Sequence, residues 1–390
     1  MNIGILTLHY GFNEGAVLQA MALARLLDTV VPGAHAEVVD HRYPSKQAVY
    51  GVPSSPREMA IAKAVDNWLP LSKASFLSAN AQPTLDYCRR NYDALVVGSD
   101  VVWGLRYTGR LRRWFGRGVF RRQTNPFFPS FPNVYWPTTS AADMRVAYAA
   151  CCGNLWWEDV PRSHRREMVR RLSGFSGISV RDERTREFLG GLSAELSARA
   201  ETVPDPTIAF DLLRAFDGST ALTKLYAAGY VTGEPYALVI MKAGPLSFSV
   251  VRKLRTRGWR VAASGPYGGL ADIDLTQLGL SPLEWAWVPR QFGICVTERM
   301  HATIFCFLNH TAVLGLDMNR RIPTTPTKLQ ELFLNSGLSS AYLHQEATDE
   351  VGLVKWLETA MDEQFEWARF DAVLEKQRAV AREFLRRSLT

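Results

Sequence analysis

Arg299 and His301, two residues apart in GICVTERMHATIF, stand just beyond the apolar run 293–296. A guanidinium offers a planar fork of donors matched to phosphate or carboxylate, and an imidazole is the side chain most easily tuned to exchange a proton near neutral pH. Parallel α/β sheets bind ligands outside the carboxyl ends of their strands, where this pair would sit. The chemistry in view is proton transfer to an anionic substrate. A plainer reading makes the histidine a buried helix cap and the arginine half of a structural ion pair.

The elements that must position such a pair can be read from periodicity. NIGILTL is a buried strand, and GFNEGA is a turn in which Asn13 and Gly15 lead into a helix over 16–27, with Val17, Ala20, Met21, Ala24 and Leu27 at helical spacing. AEVVDHR, DALVVGSD, MRVAYAACCG and SGISVRD follow as strands, with helices over 162–172 and 183–189. The second half restarts the rhythm with PYALVIMK, a helix over 247–257, WRVAAS, a helix over 282–291, GICVT, a helix over 302–308, TAVLGLD and a helix over 327–335. Strands alternating with helices imply parallel sheets.

The fold expected is therefore α/β, two doubly wound Rossmann-like domains facing across a cleft, with Asn13, Asp100 and Arg181 opposite Arg299 and His301. At 390 residues, two domains are also the default on size. The expected boundaries are an N-terminal domain over 1–211, a linker over 212–234, a C-terminal domain over 235–345, and helices over 346–390 that pack back on the body. Two stretches, 43–82 and 103–139, break the rhythm and read as long loops, as lids or binding loops usually are.

A hydrophobic content of 47% with 21% charged residues describes a folded protein and excludes disorder as a theme. No run approaches the roughly 20 apolar residues that span a bilayer, and the first residues lack signal-peptide features, so a cytoplasmic location is expected. Cys88, Cys151, Cys152, Cys295 and Cys306 are an odd set without CxxC spacing, which argues against a disulfide framework and a structural zinc. No cluster has metal-ligand spacing, and GPYGGL fails both nucleotide-loop templates. No metal and no cofactor is expected.

The net charge of +7 and pI near 9.2 have a local source. Seven arginines lie between Arg106 and Arg122 with no acidic residue among them, inside the insertion 105–139. They fit a pyrophosphate-bearing acceptor or peripheral contact with the inner face of a membrane. No nucleic-acid module accompanies them, and no nucleic acid is expected.

Several motifs in order resemble the polysaccharide pyruvyl transferase family: GILTLHYGFNEGAVLQAMAL, VVDHRYP, DALVVGSDVVWG, VAYAACCG, ISVRDERTREFL, VPDPTIAF, and TERMHATIF with Lys328 beyond it. The chain departs from the family at Cys151 and Cys152 and in its longer, more basic insertion. The resemblance implies a fold like that of the two-Rossmann glycosyltransferases of the B type, and transfer of pyruvate from phosphoenolpyruvate, a co-substrate, onto a sugar as a ketal. The sugar would be a polysaccharide precursor, lipid-linked or nucleotide-linked.

On that reading Arg181, Arg299 and Lys328 bind phosphoenolpyruvate, and His301 protonates its methylene carbon. Asp100 is a base or sugar-positioning carboxylate, and Asn13, Gly15, Ser99 and Trp103 contact the acceptor. Each has a plainer alternative. Asp100 can cap a helix, Asn13 and Gly15 can serve a backbone turn, Arg181 can pair with Asp182 or Glu183, and Trp103 can be packing; Asp205 with Pro206 reads as a domain-exit turn. The rival function is a sugar-nucleotide glycosyltransferase of the same architecture, since fold alone does not decide chemistry. A non-catalytic scaffold binding through the arginine run is the alternative from another class.

Overall fold

The computed structural model describes all residues except 107–111, 114–119, 122–127, 266, 319–324, 348 and 362–364, with side chains left undescribed also at 112–113, 120–121 and 347. Two compact units emerge: Met1–Val52 with Val65–Phe210 and Gln377–Thr390, and Pro53–Ala64 with Asp211–Lys376.

The first unit carries β1 (Asn2–Leu6), β2 (His35–Arg42), β3 (Leu71–Leu77), β4 (Ala94–Val97), a short antiparallel pair β5 (Arg112–Arg113) and β6 (Phe120–Arg121), then β7 (Met144–Ala150), β8 (Gly177–Val180) and β9 (Ala200–Thr202). Seven of these form one parallel sheet in the order β3-β2-β1-β4-β7-β8-β9. The second unit holds β10 (Tyr236–Ile240), β11 (Arg260–Ala263), β12 (Ile273–Asp274), β13 (Ile294–Thr297), β14 (Ala312–Asp317) and β15 (Tyr342–His344), again parallel, in the order β12-β11-β10-β13-β14-β15.

The central strands are continuous apolar runs because helices cover both faces of a parallel sheet. Ile3, Ile5, Val96, Val97, Leu238, Val239, Cys295 and Val296 are all fully buried. In both sheets the strand order reverses next to the first strand, between β1 and β4 and between β10 and β13. A crevice opens at the carboxyl ends of strands at such a reversal.

The structure corrects the sequence reading in two places. Region 43–82 is not a loop: it forms α2 (Pro44–Tyr50), a helix over Pro56–Trp68, and β3. β3 pairs on one side only, so its LSKASFL pattern lacks the unbroken apolar run of a central strand. Region 212–234 is not a linker, because Asp211 already opens the second unit and a helix over Ser219–Ala227 buries Ala221 and Leu225 there. Three glycines interrupt its pattern; at one of them, Gly218, any Cβ would come within 2.0 Å of Trp287.

The C-terminal segment forms helices over Glu350–Met361 and Trp367–Leu389, and the latter contributes residues to both units. Phe370 packs on Phe307 in the second unit, while Phe384 packs on Tyr148 and Arg387 pairs with Glu201 in the first. In region 103–139, Leu105, Phe131, Val134, Tyr135 and Trp136 enter the first unit's core. The arginine run, and with it the expected membrane contact, lies almost wholly outside the described residues. All five cysteines are buried thiols outside any disulfide. Among the described residues no helix is long and apolar enough to cross a membrane, and no group of side chains is arranged to hold a metal ion.

Candidate functional site

In the second unit the site is built at the reversal between β10 and β13. Thr297, the last residue of β13, donates its hydroxyl to the Ile240 carbonyl on β10 at 2.8 Å and accepts the Arg299 amide at 3.0 Å. Glu298 accepts the Lys242 amide at 2.7 Å. These bonds tie the two loops that leave the neighbouring strands. Arg299 is the N-cap residue of the helix Met300–Leu308, and His301 lies in its first turn.

Arg299 is exposed, and among the described residues no carboxylate pairs with its guanidinium. His301 is half-buried, with Nε2 shielded from solvent. Lys242 is exposed at the end of β10. Lys328 opens the helix Lys328–Asn335 after β14; the preceding Thr327 caps that helix through Gln330 at 3.1 Å, and its hydroxyl also bonds the Asp317 carboxylate. Three adjacent strands thus each deliver cationic or protonatable groups to one edge. Two helix N-termini, whose amides and dipoles favour anions, open at the same edge.

In the first unit the corresponding reversal lies between β1 and β4, and its chemistry differs. After β4 the chain turns through Gly98, Ser99 and Asp100, with a cis Gly98–Ser99 peptide. Gly98 is at φ 123°, and a Cβ there would stand 2.0 Å from the Tyr148 carbonyl oxygen, so only glycine fits. Asp100 is also in left-handed backbone, at φ 78°, a conformation that costs a non-glycine residue about 1–3 kcal/mol and concentrates at functional sites. Its carbonyl accepts the Val102 and Cys151 amides at 2.8 and 3.0 Å, which holds it there.

Arg181 follows β8 with its side chain 6% exposed. It pairs with Asp205 at 2.7 Å, lies 3.9 Å from Asp100, and donates to Gln19 at 3.4 Å. Burial alone would lower its pKa, but Asp205 and the neighbouring acidic groups outweigh it and raise it. The carboxylate partners are therefore Asp205 and Asp100, and not Asp182 or Glu183 as in the plainer alternative for this arginine. Asp182 instead caps the helix Glu183–Leu192. Asp205 is more than an exit turn, because it caps the helix Pro206–Ala209 and anchors Arg181 at once.

The remaining candidates are placed as follows. Asn13 caps α1 (Glu14–Val30), accepting the Ala16 amide at 3.4 Å, and Gly15 is buried within that helix. Ser99 is buried and donates to Gln19 at 3.0 Å. Trp103 is fully buried with its ring 5.4 Å from that of Trp136, so it offers no open face to a sugar and belongs to the core. Asp100, Ser99 and Arg181 are brought together; Trp103 is not part of that surface. Asp100 caps no helix.

Two lysines escaped the sequence reading. Lys242 ends the apolar strand PYALVIMK, which is a readable signal. Lys46 is buried on α2, in a stretch taken for a loop. A surface cavity of about 220 Å³, lined by residues such as Leu338, Trp367 and Phe370, includes none of the candidates.

With this geometry in hand, comparison with known proteins is informative. The UDP-GlcNAc 2-epimerase from Methanocaldococcus jannaschii superposes with a TM-score of 0.56 at 10% identity, over 97% of this chain and 99% of that one. Another UDP-N-acetylglucosamine 2-epimerase gives 0.51 at 10% identity, over 95% and 90%. The E. coli ADP-heptose heptosyltransferase II gives 0.46 at 11%, over 93% and 98%. At such identities the first two likenesses concern the fold alone, which is of the glycosyltransferase B type. No curated protein matches in sequence. The family model for polysaccharide pyruvyl transferase matches residues 13–320, most of the chain, and the protein belongs to that family.

Proposed function

We propose that the protein transfers the pyruvyl group of phosphoenolpyruvate to two hydroxyls of a sugar in a polysaccharide precursor, forming a ketal and releasing phosphate. The observation that carries this reading is Arg299: an exposed guanidinium, not neutralised by a described carboxylate, at a helix N-terminus with His301 two residues on, in the first turn. Phosphoenolpyruvate presents a phosphate and a carboxylate, and Arg299 and Lys328 supply the charge to hold them. Arg181, expected to share that task, is better used in ordering Asp100, since its guanidinium is already engaged by carboxylates.

His301 as imidazolium gives a proton to the methylene carbon, and C2 becomes electron-poor. A sugar hydroxyl attacks C2 and loses its proton. The phosphate then leaves, and a second hydroxyl closes the ketal, losing the other proton. One of the two hydroxyl protons balances the one added to the methylene carbon, and the other leaves with the phosphate. Asp100, the strained carboxylate at the other unit's reversal, serves the acceptor.

Radiolabelled phosphoenolpyruvate offered with nucleotide-linked and lipid-linked sugars tests the reading. Label entering the sugar with stoichiometric phosphate supports it; release of nucleoside diphosphate from a sugar nucleotide, with no label incorporated, replaces it with a glycosyltransferase.

A further inference from the structure

α2 carries a group that the steps above do not use. Lys46 is only 5% exposed, an unusual state for an ammonium ion. Its Nζ stands 5.5 Å from the centroid of the Tyr10 ring, and it is electrostatically coupled to Asp100. The placement is built. The Tyr43 amide, which precedes the helix, donates to the Tyr10 hydroxyl at 2.7 Å, and the Tyr43 hydroxyl accepts the Val134 amide at 3.2 Å. Tyr10 follows β1 and Asp100 follows β4, so the lysine is held against the two loops of the strand-order reversal. Beside them the fully buried Gln19 has an Nε2 that meets no protein acceptor, while its oxygen takes the Ser99 hydroxyl. That amide is a donor left over for a ligand oxygen.

Resting on the pyruvyl-transfer reading, we infer that Lys46 is the base that takes the proton of the attacking sugar hydroxyl, with Asp100 orienting its amine. The O–H bond breaks as the bond from that oxygen to C2 of the donor forms, and the neutral amine becomes an ammonium. Asp100 and the Tyr10 ring stabilise the new charge. The proton then passes to the departing phosphate, and the amine is regenerated.

Burial lowers the Lys46 pKa to about 8, against the opposing pull of Asp100, so a useful fraction is neutral at mildly alkaline pH. The titratable neighbours do not compete in that range. Burial pushes Tyr10 and Tyr50 up to about 12 and Tyr135 well above the usual phenol value, and it lowers His41 to about 4. Arg42 and Asp40 are held in their mutual ion pair.

The discriminating variants are Lys46→Arg, which keeps the charge but cannot accept a proton, and Lys46→Met, which keeps the bulk. Transfer from labelled phosphoenolpyruvate to a panel of p-nitrophenyl hexosides is followed from pH 6 to 9.5. In the full-length wild type, the pH profile of kcat should carry a rising limb with a midpoint near pH 8. Both variants should lose about 100-fold or more in kcat and lose that rising limb, with phosphoenolpyruvate affinity and melting temperature near wild type. A Lys46→Arg enzyme within threefold of wild type overturns the assignment while leaving pyruvyl transfer intact. A wild type that consumes sugar nucleotide and no phosphoenolpyruvate overturns both. Competitive acetylation with acetic anhydride, read by mass spectrometry, gives a check apart from turnover: Lys46 should gain reactivity with a midpoint near pH 8, and a midpoint above 10 rejects the base.

Discussion

The same topological position is furnished in opposite ways in the two units. At the reversal in the second sheet, Lys242 and Arg299 are exposed cations, with His301 and Lys328 half-exposed beside them. At the reversal in the first, charges are buried and matched: Arg181 with Asp205 and Asp100, and Asp40 with Arg42, with His9 also hydrogen-bonded to Asp40. An edge that exposes a guanidinium, Arg299, with no described carboxylate on it gains by taking up an anion. An edge whose charges are already matched gains little from one, but its fixed donors and acceptors suit a neutral polyol. Phosphoenolpyruvate and a sugar are such a pair of ligands. Within the proposed reading, this contrast favours the second edge for the anionic donor.

The sharpest way to break this assignment is His301→Ala. If the second edge performs the proton donation, transfer should fall by about 10²–10⁴-fold in kcat, with phosphoenolpyruvate affinity within a few fold of wild type. Single-turnover transfer and equilibrium binding of the labelled donor measure the two separately. A variant retaining a tenth of wild-type turnover would remove the imidazole from the chemistry.

Arg181→Met addresses the first edge. Removing the guanidinium strands Asp205 and crowds Asp100 in a buried place, and breaking a buried pair from one side typically costs about 3–5 kcal/mol. Urea unfolding should show that loss, and the Arg181→Met, Asp205→Asn double variant should recover part of it. Were stability unchanged and donor affinity instead reduced, Arg181 would return to the donor role that its sequence position first suggested.

Arg299→Ala should act more gently and on the other substrate. The loss of a charge-assisted hydrogen bond to phosphate or carboxylate, about 1.5–3 kcal/mol, predicts a roughly 10- to 150-fold weaker donor affinity with stability near wild type. Titration calorimetry with phosphoenolpyruvate reads the first and thermal unfolding the second. An unchanged donor affinity would sever the link between exposed charge and anion binding on which the comparison rests.

Much of this arrangement was legible in the sequence, for a physical reason. The central strands of a doubly wound sheet are buried on both faces, so NIGIL, ALVV, YALVI and ICVT appear as unbroken apolar runs, and the residues just beyond each run fall at the ligand-binding edge. Arg299, His301, Asp100 and Arg181 could be found that way. The edge strand β3 and the helix Pro56–Trp68 could not, because a one-sided strand and a weakly amphipathic helix carry little pattern. Lys46 was hidden with them. Nor does sequence tell a buried arginine from an exposed one: Arg181 and Arg299 both follow apolar strands, and only the tertiary neighbours Asp205 and Asp100 separate their roles.

The contrast between the edges also predicts where acid acts first. His41, at the buried edge, donates or accepts through Nδ1 with Thr84 at 2.7 Å and is held neutral by burial, its pKa lowered from 6.5 to about 4. The unfolded chain therefore binds a proton that the folded one refuses between those values. The stability linked to His41 is fully present above pH 6.5 and is lost as the pH falls through about 4, at roughly 1.4 kcal/mol per unit and on the order of 3 kcal/mol in all. Carboxylate losses come later. Glu167 is held down to about 2 by Arg170 and Arg171, and Asp40, despite burial, is kept below the usual range by hydrogen bonds from His9, Arg42 and Ser75. Both act below about pH 4.5, whereas the His41 contribution already changes between 6.5 and 4.5. His41→Asn can keep the bond to Thr84 without titrating, so urea unfolding of that variant should show a much flatter pH dependence in this window. An equal slope in wild type and variant would mean that the acid-sensitive charge lies elsewhere, and the buried edge would lose its claim to be the more pH-vulnerable of the two.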